Sequence, residues 1–120
     1  MVHRTDRILD NIPVGALGMI SLPGCEEMGN RVNDYLVKWR KETNHEHKDN
    51  IVFSGYENDT YLINAKVPRF GSGEAKGIIE ESVRGKDLYL MVDVCNYSLT
   101  YSLSGNTNHM SPDDHFQNLK

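Results

Sequence analysis

The chain has 120 residues, a formal net charge of −4, and a composition of 38% hydrophobic and 25% charged residues. That length suits one domain or part of one, and the apolar share is enough for a packed core, which excludes wholesale disorder. The mild acidity, with basic residues spread along the chain, excludes the electrostatic footprint of a nucleic-acid or anionic-membrane binder.

No apolar run approaches the length of a membrane span. The start, Met1-Val2-His3-Arg4-Thr5-Asp6-Arg7, leads into Ile8-Leu9-Asp10 and not into a hydrophobic signal core. These features predict a cytoplasmic protein with no membrane partner. Cys25 and Cys95 form no Cys-x-x-Cys pair, so two reduced, partly buried thiols are expected.

Residues 6–11 suit a short helix ended by Ile12-Pro13. Residues 17–22 (Leu-Gly-Met-Ile-Ser-Leu) form a short apolar run closed by Pro23-Gly24, as in a buried strand. A helix is expected over 25–43. Met28, Val32, Tyr35, Leu36 and Trp39 fall on one face of it, a stripe expected to pack against a sheet. Residues 43–50 are polar and read as a solvated loop; His45 and His47 within it lack a nearby third metal ligand. A strand is expected at 51–53, a turn at 54–59 and a strand at 61–67.

After a break at 68–73, residues 74–81 resume extended structure, and 82–86 make a tight connection. Residues 88–94 (Leu-Tyr-Leu-Met-Val-Asp-Val) are the most hydrophobic stretch. They predict a central strand covered on both faces, parallel to and neighbouring 17–22. Residues 96–110 read as a long loop. Ser111-Pro112-Asp113-Asp114 has the pattern of a helix start: a serine cap, proline at the first position and acids in the first turn. That helix has room for about two turns before Lys120, which favours a truncated chain. The surrounding His109, His115, Asp113 and Asp114 are expected at the surface. The order of elements predicts an α/β sandwich.

Two segments carry candidate chemistry. Arg69-Phe70-Gly71-Ser72-Gly73-Glu74 places two glycines between an aromatic ring and an acid. By residue type it is either a plain glycine-containing hairpin loop or a nucleobase site, with the ring stacking and the acid bonding the base edge. No Gly-Lys-Ser/Thr follows and the segment does not open a helix, so it is neither a Walker loop nor a dinucleotide fingerprint. Glu80-Glu81-Ser82-Val83-Arg84-Gly85-Lys86-Asp87 reads by itself as a charged turn, in which Arg84 either pairs with an acid or reaches a phosphate.

Taken together, Phe70-Gly71-Ser72-Gly73-Glu74, a short strand and Glu80-Glu81-Ser82-Val83-Arg84-Gly85-Lys86-Asp87 closely resemble the N-terminal signature of ribose-phosphate pyrophosphokinases. In that family a Phe-Ser-Asp/Asn-Gly/Gln-Glu loop precedes a strand ending in Glu-Ser-Val/Ile-Arg-Gly-x-Asp. A very hydrophobic strand and a helix opened by an Asn-Asp-like pair follow, as 88–94 and Pro112-Asp113-Asp114 do here. The resemblance covers 17–120. It implies a phosphoribosyltransferase-like three-layer sandwich with a mainly parallel sheet, of which residues 1–120 form the N-terminal part of the first domain.

The implied activity is transfer of the diphosphoryl group of ATP to ribose 5-phosphate, giving phosphoribosyl pyrophosphate and AMP with Mg²⁺, in a homo-oligomer. By the same resemblance Phe70 stacks on the adenine of a neighbouring subunit's ATP and Glu74 bonds the base edge. Ser72 stands where the family carries Asp or Asn, and residues 43–60 and 96–110 stand as insertions. The family's Arg-Gln-Asp segment for ATP, its metal-binding His, its flexible catalytic loop and its pyrophosphate and ribose-phosphate loops have no counterpart within 1–120. This chain alone is therefore expected to be inactive, with no catalytic or metal-binding residue of its own. A non-catalytic, regulatory homologue and a small nucleotide-binding module are the alternatives.

Overall fold

The structure, a computed structural model, describes residues 15–47 and 59–120. The expected helix at 6–11 and strand at 51–53 lie outside these residues. The chain is mixed α/β, as its sequence predicts. Its first element, β1 (Ala16–Ser21), pairs in parallel with β4 (Lys86–Met91), running from Ala16 opposite Lys86 to Ser21 opposite Met91. This is the predicted neighbouring of the two apolar runs. On the other edge of β1, Met19 donates to the Tyr61 carbonyl and Ile63 donates back to the Met19 carbonyl, both at 2.8 Å. Residues 61–63 thus add a short parallel segment, centred on Leu62 opposite Met19.

The core follows from this arrangement. Met19, Ile20, Leu22, Tyr61 and Ile63 are buried. Leu88, Val92 and Val83 pack against the Ile20–Leu22–Ile63 cluster. Burial also pushes the Tyr61 hydroxyl above its ordinary pKa, with the positive charge of Arg40 pulling the other way.

Pro23 and Gly24 turn the chain out of β1, with Gly24 in the left-handed region at φ 97°. Helix α1 (Glu26–His47) follows, with Glu26 and Glu27 in its positively polarised first turn. It runs farther than predicted, through the stretch 43–47 expected to be loop. The face it turns inward also differs. Met28, Tyr35 and Trp39 are more than half exposed, while Cys25, Gly29 and Asn33 are buried. The reason is close approach: a Cβ on Gly29 would sit 1.8 Å from Ser21 Oγ and 3.0 Å from its Cβ, so a larger residue would have to displace Ser21 or lift the helix off β1. Asn33 then reaches the parallel segment, its Oδ1 accepting from the Tyr61 amide at 2.7 Å.

The remaining strands are short. β2 (Ala65–Lys66) pairs antiparallel with β3 (Ile78–Ile79), so the strands expected over 61–67 and 74–81 are in part loop. The turn at 82–86 forms as expected, with Gly85 at φ 76°. In β4, Tyr89 and Leu90 are exposed, which corrects the expectation of a strand covered on both faces. The stretch expected to be a long loop, 96–110, contains a hairpin of β5 (Thr100–Leu103) and β6 (Asn106–His109). Its turn residues Ser104 and Gly105 both have positive φ, the geometry that matches strand twist.

Helix α2 (Pro112–Leu119) starts where predicted. Ser111 Oγ accepts from the Asp114 amide at 3.2 Å, and Asp114 Oδ2 accepts from the Ser111 amide at 2.9 Å. This reciprocal cap satisfies amides the helix cannot. His115, expected at the surface, is 1% exposed, and its Nε2 lies 2.6 Å from the Asn96 carbonyl. No helix of the described residues is long and apolar enough to cross a membrane.

Candidate functional site

The loop carrying Phe70, Ser72 and Glu74 is the tip of a small hairpin. Arg69 and Ala75 are antiparallel bridge partners, the Phe70 amide donates to the Glu74 carbonyl at 2.7 Å, and the Lys76 amide donates to the Pro68 carbonyl at 3.0 Å. The Gly73 amide closes the turn onto the Phe70 carbonyl at 2.9 Å, with Gly73 at φ 89°. That conformation is available to glycine and costly for residues with a Cβ.

Pairing fixes the directions of the side chains. Opposed residues of a ladder share a face and successive residues alternate. Phe70 and Glu74 therefore flank the mouth of the loop on one face, and Arg69 and Ala75 turn to the other. Phe70 is 50% exposed, and Ser72 and Glu74 are exposed with it. Nothing lies within 4 Å of a Cβ built on Gly71 or Gly73, so the backbone between them is open to close approach. An exposed ring, a carboxylate and a bare backbone edge can stack on a flat heterocycle and bond its rim.

The inward side of the hairpin is crowded. The Arg69 side chain is 10% exposed. Its Nη1 donates to the Gly73 carbonyl at 2.7 Å, and its Nη2 donates to Asn118 Oδ1 at 2.9 Å. Asp114 Oδ1 lies 3.8 Å from Nη1, and the guanidinium stands 4.5 Å from the centre of the Tyr101 ring. Sequence reasoning singled out Phe70, Ser72 and Glu74 but passed over Arg69. The available signal was its place one residue before Phe70 in an alternating strand.

The charged turn 80–87 lies apart from this tip. Glu81 pairs with Lys86 at 3.4 Å, Glu80 pairs with Lys66, and the hydrogen bond from Lys66 to Glu80 holds the ammonium's acidity below normal, its pKa raised. Arg84 is exposed. A surface cleft of about 680 Å³ runs between α1 and β4, lined by Cys25, Met28, Leu90 and Asp93, and neither Phe70 nor Glu74 borders it. Both cysteines are free, Cys25 buried and Cys95 exposed. Burial, reinforced by the Asp93 and Glu26 charges, pushes the Cys25 thiol above its ordinary pKa. Among the described residues no three His, Cys, Asp or Glu side chains converge to hold a metal.

Residues 17–119 match the family model described as the N-terminal domain of ribose phosphate pyrophosphokinase, a match that spans the parallel unit, the 70–74 loop and α2. No curated protein and no solved structure matches the chain.

Proposed function

The chain belongs to the family of the N-terminal domain of ribose phosphate pyrophosphokinase, and from that premise we propose that it forms the start of a ribose-phosphate diphosphokinase. The full-length protein transfers the diphosphoryl group of ATP to ribose 5-phosphate, giving phosphoribosyl pyrophosphate and AMP. The share of this chain is recognition. Its 70–74 loop holds the adenine of an ATP bound in a neighbouring subunit of a homo-oligomer.

The observation that carries this reading is the exposed tip of the hairpin, with Phe70 and Glu74 on one face of the loop mouth. Phe70, half exposed, supplies a stacking surface. The Glu74 carboxylate accepts from the amino group on the base edge. Ser72 offers a short hydroxyl where the family has a longer carboxylate or amide, so its contribution is smaller than its counterpart's.

Mg²⁺ enters with ATP, and its charge-neutralising chemistry is assigned to residues outside 1–120. For the same reason the 120-residue chain alone is proposed to be inactive. The parallel pairing of β1 and β4, with α1 against β1 and with Tyr89 and Leu90 exposed on β4, supports the start of a three-layer, mainly parallel sandwich.

The test is ATP affinity of the full-length protein with and without Phe70→Ala. Loss of one aromatic stack is worth about 2 kcal/mol, or roughly 30-fold in Kd. Unchanged affinity removes Phe70 from the site.

A further inference from the structure

The tip continues the β2–β3 ladder in the same register through the Arg69–Ala75 bridge, and its outward face is open. The backbone hydrogen bonds of the tip run within the hairpin and leave its attachment to the rest of the chain to side chains. Arg69 supplies what is missing. It sits at the base of the tip and turns inward because Phe70 turns outward. Three of its contacts reach three different parts of the chain. Nη1 closes the loop on itself through the Gly73 carbonyl at 2.7 Å. Nη2 reaches α2 through Asn118 Oδ1 at 2.9 Å and the Asp114 carbonyl at 3.4 Å. The face of the guanidinium lies over Tyr101 of β5 at 4.5 Å.

Asp114 joins these contacts to the helix cap. Its Oδ2 serves the Ser111 amide and hydroxyl, while its Oδ1 faces Arg69. A planar fork of donors can bond two elements and stack on a third at once; a lysine ammonium cannot.

We propose that Arg69 is the positioning residue of the adenine loop, locking the 70–74 tip to α2 and to the β5–β6 hairpin so that Phe70 and Glu74 are presented already oriented. This rests on the reading of 70–74 as an adenine loop. It also assigns a purpose to the β5–β6 hairpin, whose Tyr101 forms one wall of the Arg69 socket. Binding to a loop held in place loses less entropy than binding to a loose one.

The test uses the full-length protein with Arg69→Met, Tyr101→Leu, Tyr101→Phe and Phe70→Ala. It reads ATP affinity, KM for ribose 5-phosphate, and hydrogen exchange at the Phe70 and Gly73 amides. Arg69→Met is expected to weaken ATP about tenfold and Tyr101→Leu about threefold, with faster exchange at both amides and KM for ribose 5-phosphate within about twofold of wild type. Tyr101→Phe keeps the ring and is expected to behave as wild type.

If Phe70→Ala weakens ATP while Arg69→Met and Tyr101→Leu change neither affinity nor exchange, the proposal is overturned and the adenine reading stands. If Phe70→Ala has no effect on ATP, the adenine reading fails. Exchange then decides whether Arg69 clamps the loop: acceleration upholds the clamp and unchanged rates overturn it. Should Arg69→Met fail to fold, the contrast between Tyr101→Leu and Tyr101→Phe carries the same decision.

Discussion

Replacing Asn33 by alanine tests how α1 is fastened to the parallel unit. Asn33 is 7% exposed, and its Oδ1 accepts from the Tyr61 amide at 2.7 Å and lies 3.4 Å from Thr60 Oγ1. Tyr61 is itself 3% exposed. Water therefore cannot replace the lost acceptor without opening the core. Leaving a buried amide unsatisfied costs ~1–3 kcal/mol. Alanine returns ~0.5 kcal/mol through its better helix propensity. The net loss is about 1.5 kcal/mol, equivalent to a fall of roughly 6 °C in Tm for a domain of this size. Urea or thermal melts followed by circular dichroism measure it directly. Asn33→Asp keeps the oxygen acceptor and separates loss of the bond from loss of volume. If Asn33→Ala melted within 1 °C of wild type, the Asn33–Tyr61 bond would not be fastening the helix and the account of α1 packing would be wrong.

Three other outcomes follow from the geometry. Gly29→Leu should destabilise more than Gly29→Ala, because every added atom is driven into Ser21 and Leu62. A well-folded, equally stable leucine variant would mean that the helix does not rest on β1 there. At pH 8 an alkylating reagent should modify exposed Cys95 well before Cys25, whose thiol is buried and held protonated. Mass mapping that found Cys25 modified first would contradict the burial. Cys25 and Tyr61 both have pKa values raised above their ordinary 9.0 and 10.0, so the folded chain keeps protons that the unfolded chain releases. The stability they contribute is complete below about pH 9 and is lost as pH rises through their folded values. Tm should therefore fall as pH rises above about 9, less steeply in Tyr61→Phe. A flat profile would count against both shifts.

Much of this structure is legible in short-range chemistry. The apolar runs at 17–22 and 88–94 announce the parallel pair, and Ser111-Pro112-Asp113-Asp114 announces a helix start whose cap involves only its own neighbours. What escaped depends on partners distant in the chain. Helical spacing groups Met28, Tyr35 and Trp39 on one face, but it cannot say which face the sheet meets. Cys25, Gly29 and Asn33 share another face, and a glycine and a polar amide carry no hydrophobic signal even though close approach and a buried bond select them. In the β5–β6 hairpin only β5 alternates, through Tyr101 and Leu103, while Asn106-Thr107-Asn108-His109 carries no apolar residue.

The candidate site divides in the same way. Phe70, Ser72 and Glu74 are visible through their motif, whereas Arg69 matters through Tyr101, Asp114 and Asn118, 32 to 49 residues away by number. His115 is buried by the Asn96 carbonyl, 19 residues earlier.

We propose that this chain begins a ribose-phosphate diphosphokinase and contributes adenine recognition, with the chemistry supplied elsewhere in the full-length protein. Release of AMP from ATP, ribose 5-phosphate and Mg²⁺ measures it most directly, with the full-length protein and the 120-residue chain assayed side by side. The full-length protein is expected to give AMP and phosphoribosyl pyrophosphate in equal amounts, and the 120-residue chain neither. AMP formation by the short chain, or none by the full-length protein, would contradict it.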